Sequence, residues 1–320
     1  MTIFHYDLNK IVREGHPLKK IDRLISFSSL IYRIKNVESE VGRNGYGLEV
    51  ALRCIFLQYY YDLSDRQLEE NLKDSNSMKW FCGFKIDDPT PDHSFFGRAR
   101  AAIGTNGVHK ILNAINHKAK GAGILKNVFT FADASAIIAK ETTWAERDKA
   151  LADGEEKLNN DNVENYSADP DARFGCKGKD KFWYGYKRSA SVDMSSGLIK
   201  SVAVTPANVP DEQAFKHICP RDSIIFADKA YALKPAQMAM RTNFCQSAAI
   251  LKNNMLGKNR DLDRWRSGLR SPFENVFSKL QPKTRYRGLA KVQFQAATEA
   301  LIFNVKRLIT INSPPLFAWA

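Results

Sequence analysis

Two stretches of the 320-residue sequence share one shape: VFTFADASA at 128–136 and IIFADKAYA at 224–232. In each, a run of mostly apolar residues leads into an aspartate, Asp133 in the first and Asp228 in the second. The runs have the length and the aromatic and β-branched content of buried strands. If the two strands pair, two carboxylates share one end of a hydrophobic sheet. Their like charges repel, and a divalent cation relieves that repulsion. Oxygen donors suit Mg²⁺ or Mn²⁺, and such ions can activate a water and stabilise the leaving oxygen in phosphoryl transfer. The plainer alternative is that each aspartate caps the loop after its strand.

A site of this kind calls for a third acid. After Asp228 the chain contains only Asp261, Asp263, Glu274 and Glu299. Asp261 and Asp263 lie in KNRDLDRWR, a loop-like basic run in which each can pair with arginine. Glu299 falls in an amphipathic pattern whose packing face is Phe294, Leu301 and Val305, which turns it toward solvent. Glu274, in RSPFENVFSKL, follows Pro272, and proline is favoured in a first helical turn. It is therefore read in the opening turn of a helix, with Arg270 just before it. Lys283, Arg285 and Arg287 follow, a cluster suited to a phosphate backbone. No GxxxxGK[ST] or GxGxxG is present, and no histidine shares a strand-to-helix elbow with a serine, so nucleotide cofactors and serine catalysis are unsupported.

The charge distribution agrees with a polyanionic partner. The chain carries a formal net charge of +13, with 13 Lys and Arg against 4 Asp and Glu over residues 252–320. A solubilising surface would look the same in composition alone. Hydrophobic residues make up 44% of the chain, enough for a sizeable core. No run is long and apolar enough to span a membrane, and the first residues lack the apolar segment of a signal peptide. The five cysteines are far apart with no CxxC pair, which fits reduced, mainly buried thiols in a cytosolic protein.

The elements that position these residues follow from periodicity. Over 47–61 apolar residues recur at helical spacing. Ser64, with Gln67 three residues on, is a capping-box pattern opening another helix. Trp80 and Phe81 read as core. Pro89 and Pro91 then interrupt, and a helix restarts near Asp92, carrying Arg98 and Arg100. Short helices with arginines on the last are compatible with a helix-turn-helix DNA reader, and equally with an ordinary bundle. Gly121 and Gly123 break the helix, dividing the chain into a helical domain over 1–125 and a second domain over 126–320. Residues 140–172 form a polar insertion, read as a helix packed through Trp144 and then a loop. From Phe182 the period becomes two: a strand over 182–193, a turn at MSSG, and a hairpin partner over 198–207. Strands at 223–227 and 246–251, a helix at 234–241 and a packing helix over 292–311 complete an α/β fold with mixed strand directions, covered by helices.

Taken together these stretches resemble the DDE transposases of bacterial insertion sequences, in the group with a tyrosine–arginine–glutamate–lysine signature. FADAS and FADKAYA match the motifs of the first two catalytic aspartates, and RSPFE with TRYRGLAK is similar to the third motif and its basic sequel. LSDRQLEENLKDSNSMKWFCGF resembles the helical domain that precedes the catalytic core. DARFGCKGKDKFWYGYKRSASVD and TPANVPDEQAF resemble the middle strands and their connection, so the likeness covers nearly the whole chain. It implies a ribonuclease H-like sheet whose first and fourth strands are neighbours. Asp133, Asp228 and Glu274 would hold Mg²⁺ or Mn²⁺, and Arg270 with residues 283–291, Lys291 among them, would grip phosphates. The N-terminal helices, with Arg98 and Arg100, would read terminal inverted repeats in double-stranded DNA, in a homo-oligomer that pairs two ends at the bacterial nucleoid. The implied reaction is nicking of element-end DNA by water, then attack of the freed 3′-hydroxyl on target DNA. The signature's outer positions, three before Arg270 and seven after Glu274, hold Ser267 and Gln281 here, with Trp265 and Lys283 two residues away. A ribonuclease H-like nuclease without strand transfer and a catalytically dead DNA-binding remnant are the alternatives.

Overall fold

The computed structural model describes residues 7–34, 46–139, 143–178 and 180–311. The chain parts into two compact units, residues 1–122 with 304–320, and residues 123–303.

The first unit is helical. It comprises α1 (Leu8–Ile11), α2 (Pro17–Leu24), α3 (Phe27–Tyr32), α4 (Gly47–Tyr60), α5 (Asp65–Asp74), α6 (Asn76–Cys82) and α7 (His93–Gly121). The capping box forms: the Gln67 N–H donates to Ser64 Oγ at 3.3 Å, and the Ser64 N–H donates to Gln67 Oε1 at 2.9 Å. Asp92 caps α7 by accepting from the Ser94 and Phe95 N–H groups at 2.8 and 3.2 Å. That helix is broken at Gly104, where φ is 64°. Its core is a cluster of aromatic rings, Phe27 lying 5.5 Å from Phe56 and 5.3 Å from Phe81, edge to face. Phe81 is core as expected, whereas Trp80 is half-buried beneath the Lys19 ammonium.

The second unit holds β1 (Phe129–Ile138), α8 (Thr143–Ala152), α9 (Val163–Tyr166), β2 (Arg173–Lys177), β3 (Lys181–Asp193), β4 (Ile199–Pro206), α10 (Asp211–Ala214), β5 (Ile224–Phe226), α11 (Lys234–Thr242), β6 (Gln246–Ser247) and α12 (Arg260–Ser278). A last helix, α13 (Leu289–Thr310), begins here and ends in the first unit. The sheet runs β2-β3-β1-β5-β6, with β4 also on β3. Strand β3 is 13 residues long, so its outer edge accommodates β2 and then β4 end to end while β1 lines the other edge. The β1, β2 and β4 pairings with β3 are antiparallel, and β5 pairs parallel to β1 and β6. Gly185 makes the β1–β3 approach possible: a Cβ there would stand 2.3 Å from the Ile137 carbonyl oxygen. This is the helix-flanked mixed sheet, after a helical N-terminal segment, that the pattern of elements predicts, and of the ribonuclease H type that the resemblance implies.

Alternation sets the two faces. Phe131 and Asp133 on β1 lie opposite Val192 and Ala190, on the face where the Phe273 and Phe277 rings of α12 meet Phe131 at 6.1 and 6.2 Å. Ala132 points the other way, into a core with Phe215, Ile218, Tyr231 and Met240. Two expectations fail. Trp144 on α8 is 67% exposed, with the Arg147 guanidinium over its ring at 4.5 Å. Of the five thiols, only Cys54 and Cys82 are buried.

Candidate active site

The two aspartates come together through the short parallel ladder. Its last register pair is Phe131 with Phe226, and each acid stands two residues beyond its phenylalanine. Asp133 is not at the end of its strand: β1 runs on to Ile138, and it is the neighbouring β5 that stops. What ends just before both acids is the pairing, which leaves their carboxylates level on a sheet opening. Asp228 leaves β5 and caps a single 3₁₀ turn, accepting from the Ala230 N–H at 2.9 Å. Asp133 accepts from its neighbour's Ala134 N–H at 2.9 Å.

The electrostatics of this pair match two acids sharing one place. Burial first, and the Asp228 charge in addition, push Asp133 up to about 6, against the lowering pull of the Ala134 N–H, Arg270 and Lys177. Beneath them lies Tyr231, fully buried, with a hydroxyl that has no hydrogen-bond partner among the described residues. Burial raises that phenol well above its usual range, and Asp133, Asp211 and Asp228 add to the rise. Tyr231 stands in FADKAYA, but a sequence gives no sign that this ring turns under the acids.

Helix α12 brings Arg270. Its side chain is buried, with the guanidinium 5.6 Å from the centre of the Phe131 ring. Its Nε meets no acceptor among the described residues, and its charge reaches Asp133. Glu274 follows one turn later at 3.7 Å from Arg270, with its side chain 55% exposed. The helix does not open at Pro272. It opens at Asn259, whose side chain accepts from the Asp261 and Leu262 N–H groups, and Pro272 lies inside it. Glu274 is thus in the fourth turn, and KNRDLDRWR is the helix start. Asp263 is buried in that start, paired with Lys258 at 2.6 Å, whereas Asp261 is exposed. Among the described residues no group of three or more His, Cys, Asp or Glu is placed to hold one metal ion, so Glu274 stands apart from the aspartate pair.

Glu299 does not face solvent. It is buried on α13 and pairs with the buried Arg188 of β3 at 2.9 Å. The Gln295 amide also donates to Glu299, at 2.8 Å. Burial raises the Glu299 carboxyl although Arg188 pulls it down, and burial lowers Arg188. Arg188 had a legible signal, since it falls in step with the buried Tyr186, Ala190 and Val192 of a period-two strand.

The basic segment after α12 is held by its backbone. The Ile138 N–H of β1 donates to the Pro282 carbonyl, and the Thr284 N–H returns to the Ile138 carbonyl, both at 2.8 Å. Gln295 receives the Arg285 N–H at 2.7 Å and donates to the Lys283 carbonyl at 3.0 Å. Arg188 donates to the Gln281 carbonyl at 2.7 Å. Asp169 and Asp171 receive the Gly288 and Leu289 N–H groups at 3.0 and 2.8 Å. Lys283, Arg287 and Lys291 are exposed on this frame and Arg285 is half-buried. Trp265 is 58% exposed, its ring edge-on to Phe226 at 6.3 Å.

In the helical unit, Arg98 is exposed. Arg100 is not presented outward. It makes a two-pronged pair with Asp65, at 2.8 and 2.7 Å, and reaches Gln58 at 3.0 Å, tying α7 to α4 and α5. No described helix is long and apolar enough to cross a membrane.

A family model described as "Transposase DDE domain" matches residues 128–305, and one described as "Transposase domain (DUF772)" matches residues 6–102. Among solved structures, the chain is similar to the piggyBac transposase of a cryo-EM synaptic complex with hairpin DNA. The identity is 8%, the match covers 93% of this chain and 77% of that one, and the TM-score is 0.41.

Proposed function

Since this chain belongs to the transposase DDE-domain family, whose model spans more than half of it, we propose that it cuts DNA at the ends of an insertion sequence and joins the freed 3′-hydroxyl to target DNA. The observation that carries this reading is the level pair Asp133 and Asp228 at the end of a parallel ladder, with one carboxyl already pushed up to about 6.

Such a pair fits a divalent cation. Two half-buried carboxylates whose like charges oppose joint ionisation gain most from a hard ion of opposite charge. Asp133 and Asp228 would hold Mg²⁺ or Mn²⁺, and Glu274, which stands apart from the pair here, would complete the set as the third acid only by coming closer to it. When bound, the ion supplies Lewis-acid activation of the attacking oxygen and charge for the leaving one.

The chain's own residues do the positioning. Arg270, buried against Phe131 and with an unused N–H, is set to steady the phosphate under attack beside Asp133. Arg270 and Glu274 take the inner places of the tyrosine–arginine–glutamate–lysine signature. Its outer places hold Ser267 and Gln281, and Trp265 and Lys283 lie two residues from them. Lys283, Arg285, Arg287 and Lys291 line up along a backbone fixed from both sides, so little order is lost when they meet phosphates. The helical N-terminal unit holds the element ends, and two chains pair two ends.

The test is a nicking and strand-transfer assay on labelled element-end duplex with Mg²⁺. Asp133→Asn and Asp228→Asn should each abolish cleavage while duplex binding survives. Wild-type nicking by either variant would sink the assignment, and nicking without strand transfer would reduce the protein to a nuclease.

A further inference from the structure

Tyr231 is held by its backbone and by its ring, and its oxygen is left over. Its N–H donates to the Asp228 carbonyl at 3.3 Å, and its carbonyl accepts from the Gln237 amide at 2.9 Å. The ring meets Phe215 edge to face at 5.3 Å. It packs in one cluster with Ala132 and Ala227, the residues directly before Asp133 and Asp228. The residue is 0% exposed, and its hydroxyl has no hydrogen-bond partner among the described residues.

A buried hydroxyl without a partner gives up its hydration and gains nothing in return. Phenylalanine would fill this space with the same ring and without that loss, so packing alone does not account for a tyrosine. Beyond burial itself, the charges of three carboxylates weigh on the phenol, Asp133 most, then Asp211 and Asp228. Asp211 is held by Lys187 at 2.6 Å. Asp228 is turned to the Ala230 N–H at 2.9 Å, capping the 3₁₀ turn that carries Tyr231 itself. Asp133 accepts from the Ala134 N–H through Oδ1, and a carboxylate offers about four acceptor positions in all. Ala132 and Asp133 project to opposite faces of β1. Because β5 stops at Phe226, the β1 edge it leaves at residue 133 opens a way from the Ala132 face to the acid.

We propose that Tyr231 is a positioning residue of the candidate site, its hydroxyl donating to the Asp133 carboxylate when that acid holds a divalent cation and fixing which oxygen faces the ion. The inference rests on the cation-holding reading above and deepens it. A neighbour's hydrogen bond orients a ligating carboxylate and favours its ionised form. Loss of such a partner weakens metal binding by about 10–100-fold. The competing use of the hydroxyl is structural. Ser189, opposite Ala203 on the same sheet face, is also buried without a partner among the described residues, and one enclosed water would serve both groups.

The experiment measures Mn²⁺ binding by the full chain, counting free Mn²⁺ by electron paramagnetic resonance, with thermal melts in EDTA alongside. Tyr231→Phe should weaken Mn²⁺ binding by about 10–100-fold. Its midpoint in EDTA should be no lower than that of wild type, because only an unbonded oxygen is removed. The Mn²⁺ concentration that half-saturates nicking should rise by the same factor as the dissociation constant, and saturating Mn²⁺ should restore the wild-type rate. A lower midpoint in EDTA overturns the proposal and assigns the hydroxyl to the structural water. A wild-type chain that binds Mn²⁺ beside a Tyr231→Phe chain that binds it as tightly sinks this inference alone. A wild-type chain that binds no Mn²⁺ sinks the cation-holding reading and this inference with it.

Discussion

Arg188 on β3 and Glu299 on α13 face each other at 2.9 Å, with their side chains 1% and 7% exposed. Neither charge has water to fall back on. Replacing Glu299 by glutamine leaves the guanidinium buried without its counter-ion, a change that costs about 3–5 kcal/mol. It also loosens the donor that holds the Gln281 carbonyl. Urea denaturation should show a loss of that size for Glu299→Gln. Arg188→Met with Glu299→Leu should recover much of it, and a Glu299→Gln chain as stable as wild type would show the pair to be dispensable.

The aspartate pair carries a cost of its own when no cation is present. Asp133 ordinarily titrates at 3.8, and in the folded chain it is pushed up to about 6. Below its ordinary value the group is protonated in both states and contributes nothing. Between the two values the folded chain keeps a proton that the unfolded chain has lost, so stability falls as pH rises through this window. Above about 6 the whole cost is present. In EDTA, Asp133→Asn should therefore be more stable than wild type at pH 7, by about 1–3 kcal/mol, and the two should converge near pH 4. Parallel stability curves across that range would count against the raised carboxyl.

Glu274 and Asp263 should separate cleanly into chemistry and stability. Glu274 is exposed and paired only at 3.7 Å, so Glu274→Gln should leave the thermal midpoint within a degree or two while cleavage is lost. Asp263 is buried and paired with Lys258, so Asp263→Asn should lower stability by about 1–3 kcal/mol. Its residual folded fraction should cut at the wild-type rate. An active Glu274→Gln beside an inactive but stable Asp263→Asn would reverse the two roles.

Arg98 and Arg100 are two positions apart and differ in kind. Arg100→Ala removes a two-pronged pair and leaves Asp65 and the buried Gln58 short of a donor, for a loss of about 1–3 kcal/mol. Arg98→Ala should shift stability by less than about 0.5 kcal/mol. Equal midpoints for the two variants would refute the distinction.

Local signals in the sequence were enough for much of this. The Ser64 and Gln67 cap, the Asp92 cap and the β3–β4 hairpin depend on neighbours in the chain, and all are present. The repeated apolar run before each aspartate sufficed to bring the two acids level. The rest depended on what lies across the core. Pro272 reads as a helix start, yet Asn259 had already started the helix, and the proline sits on the exposed side where a missing N–H costs least. Glu299 reads as a solvent position only if α13 has a wet face there, and residues 294–302 are buried on every side. The strand's period marks Arg188 as an inward position, but its partner Glu299 lies more than a hundred residues away, so the ion pair itself could not be read.

Gln295 has a consequence for how this protein can change. By accepting from Arg285 and donating to Lys283, its amide does for the basic segment what a further strand would, while Ile138 holds the other side. The shape of that segment is written in main-chain bonds and in side chains outside it, Gln295 together with Arg188 on the Gln281 carbonyl and Asp169 and Asp171 on the Gly288 and Leu289 N–H groups. Exposed positions such as 283, 287 and 291 can therefore exchange residues without unmaking the frame that carries them. On the proposed reading their identities can change with the DNA that is bound, while the side chains that hold the frame cannot.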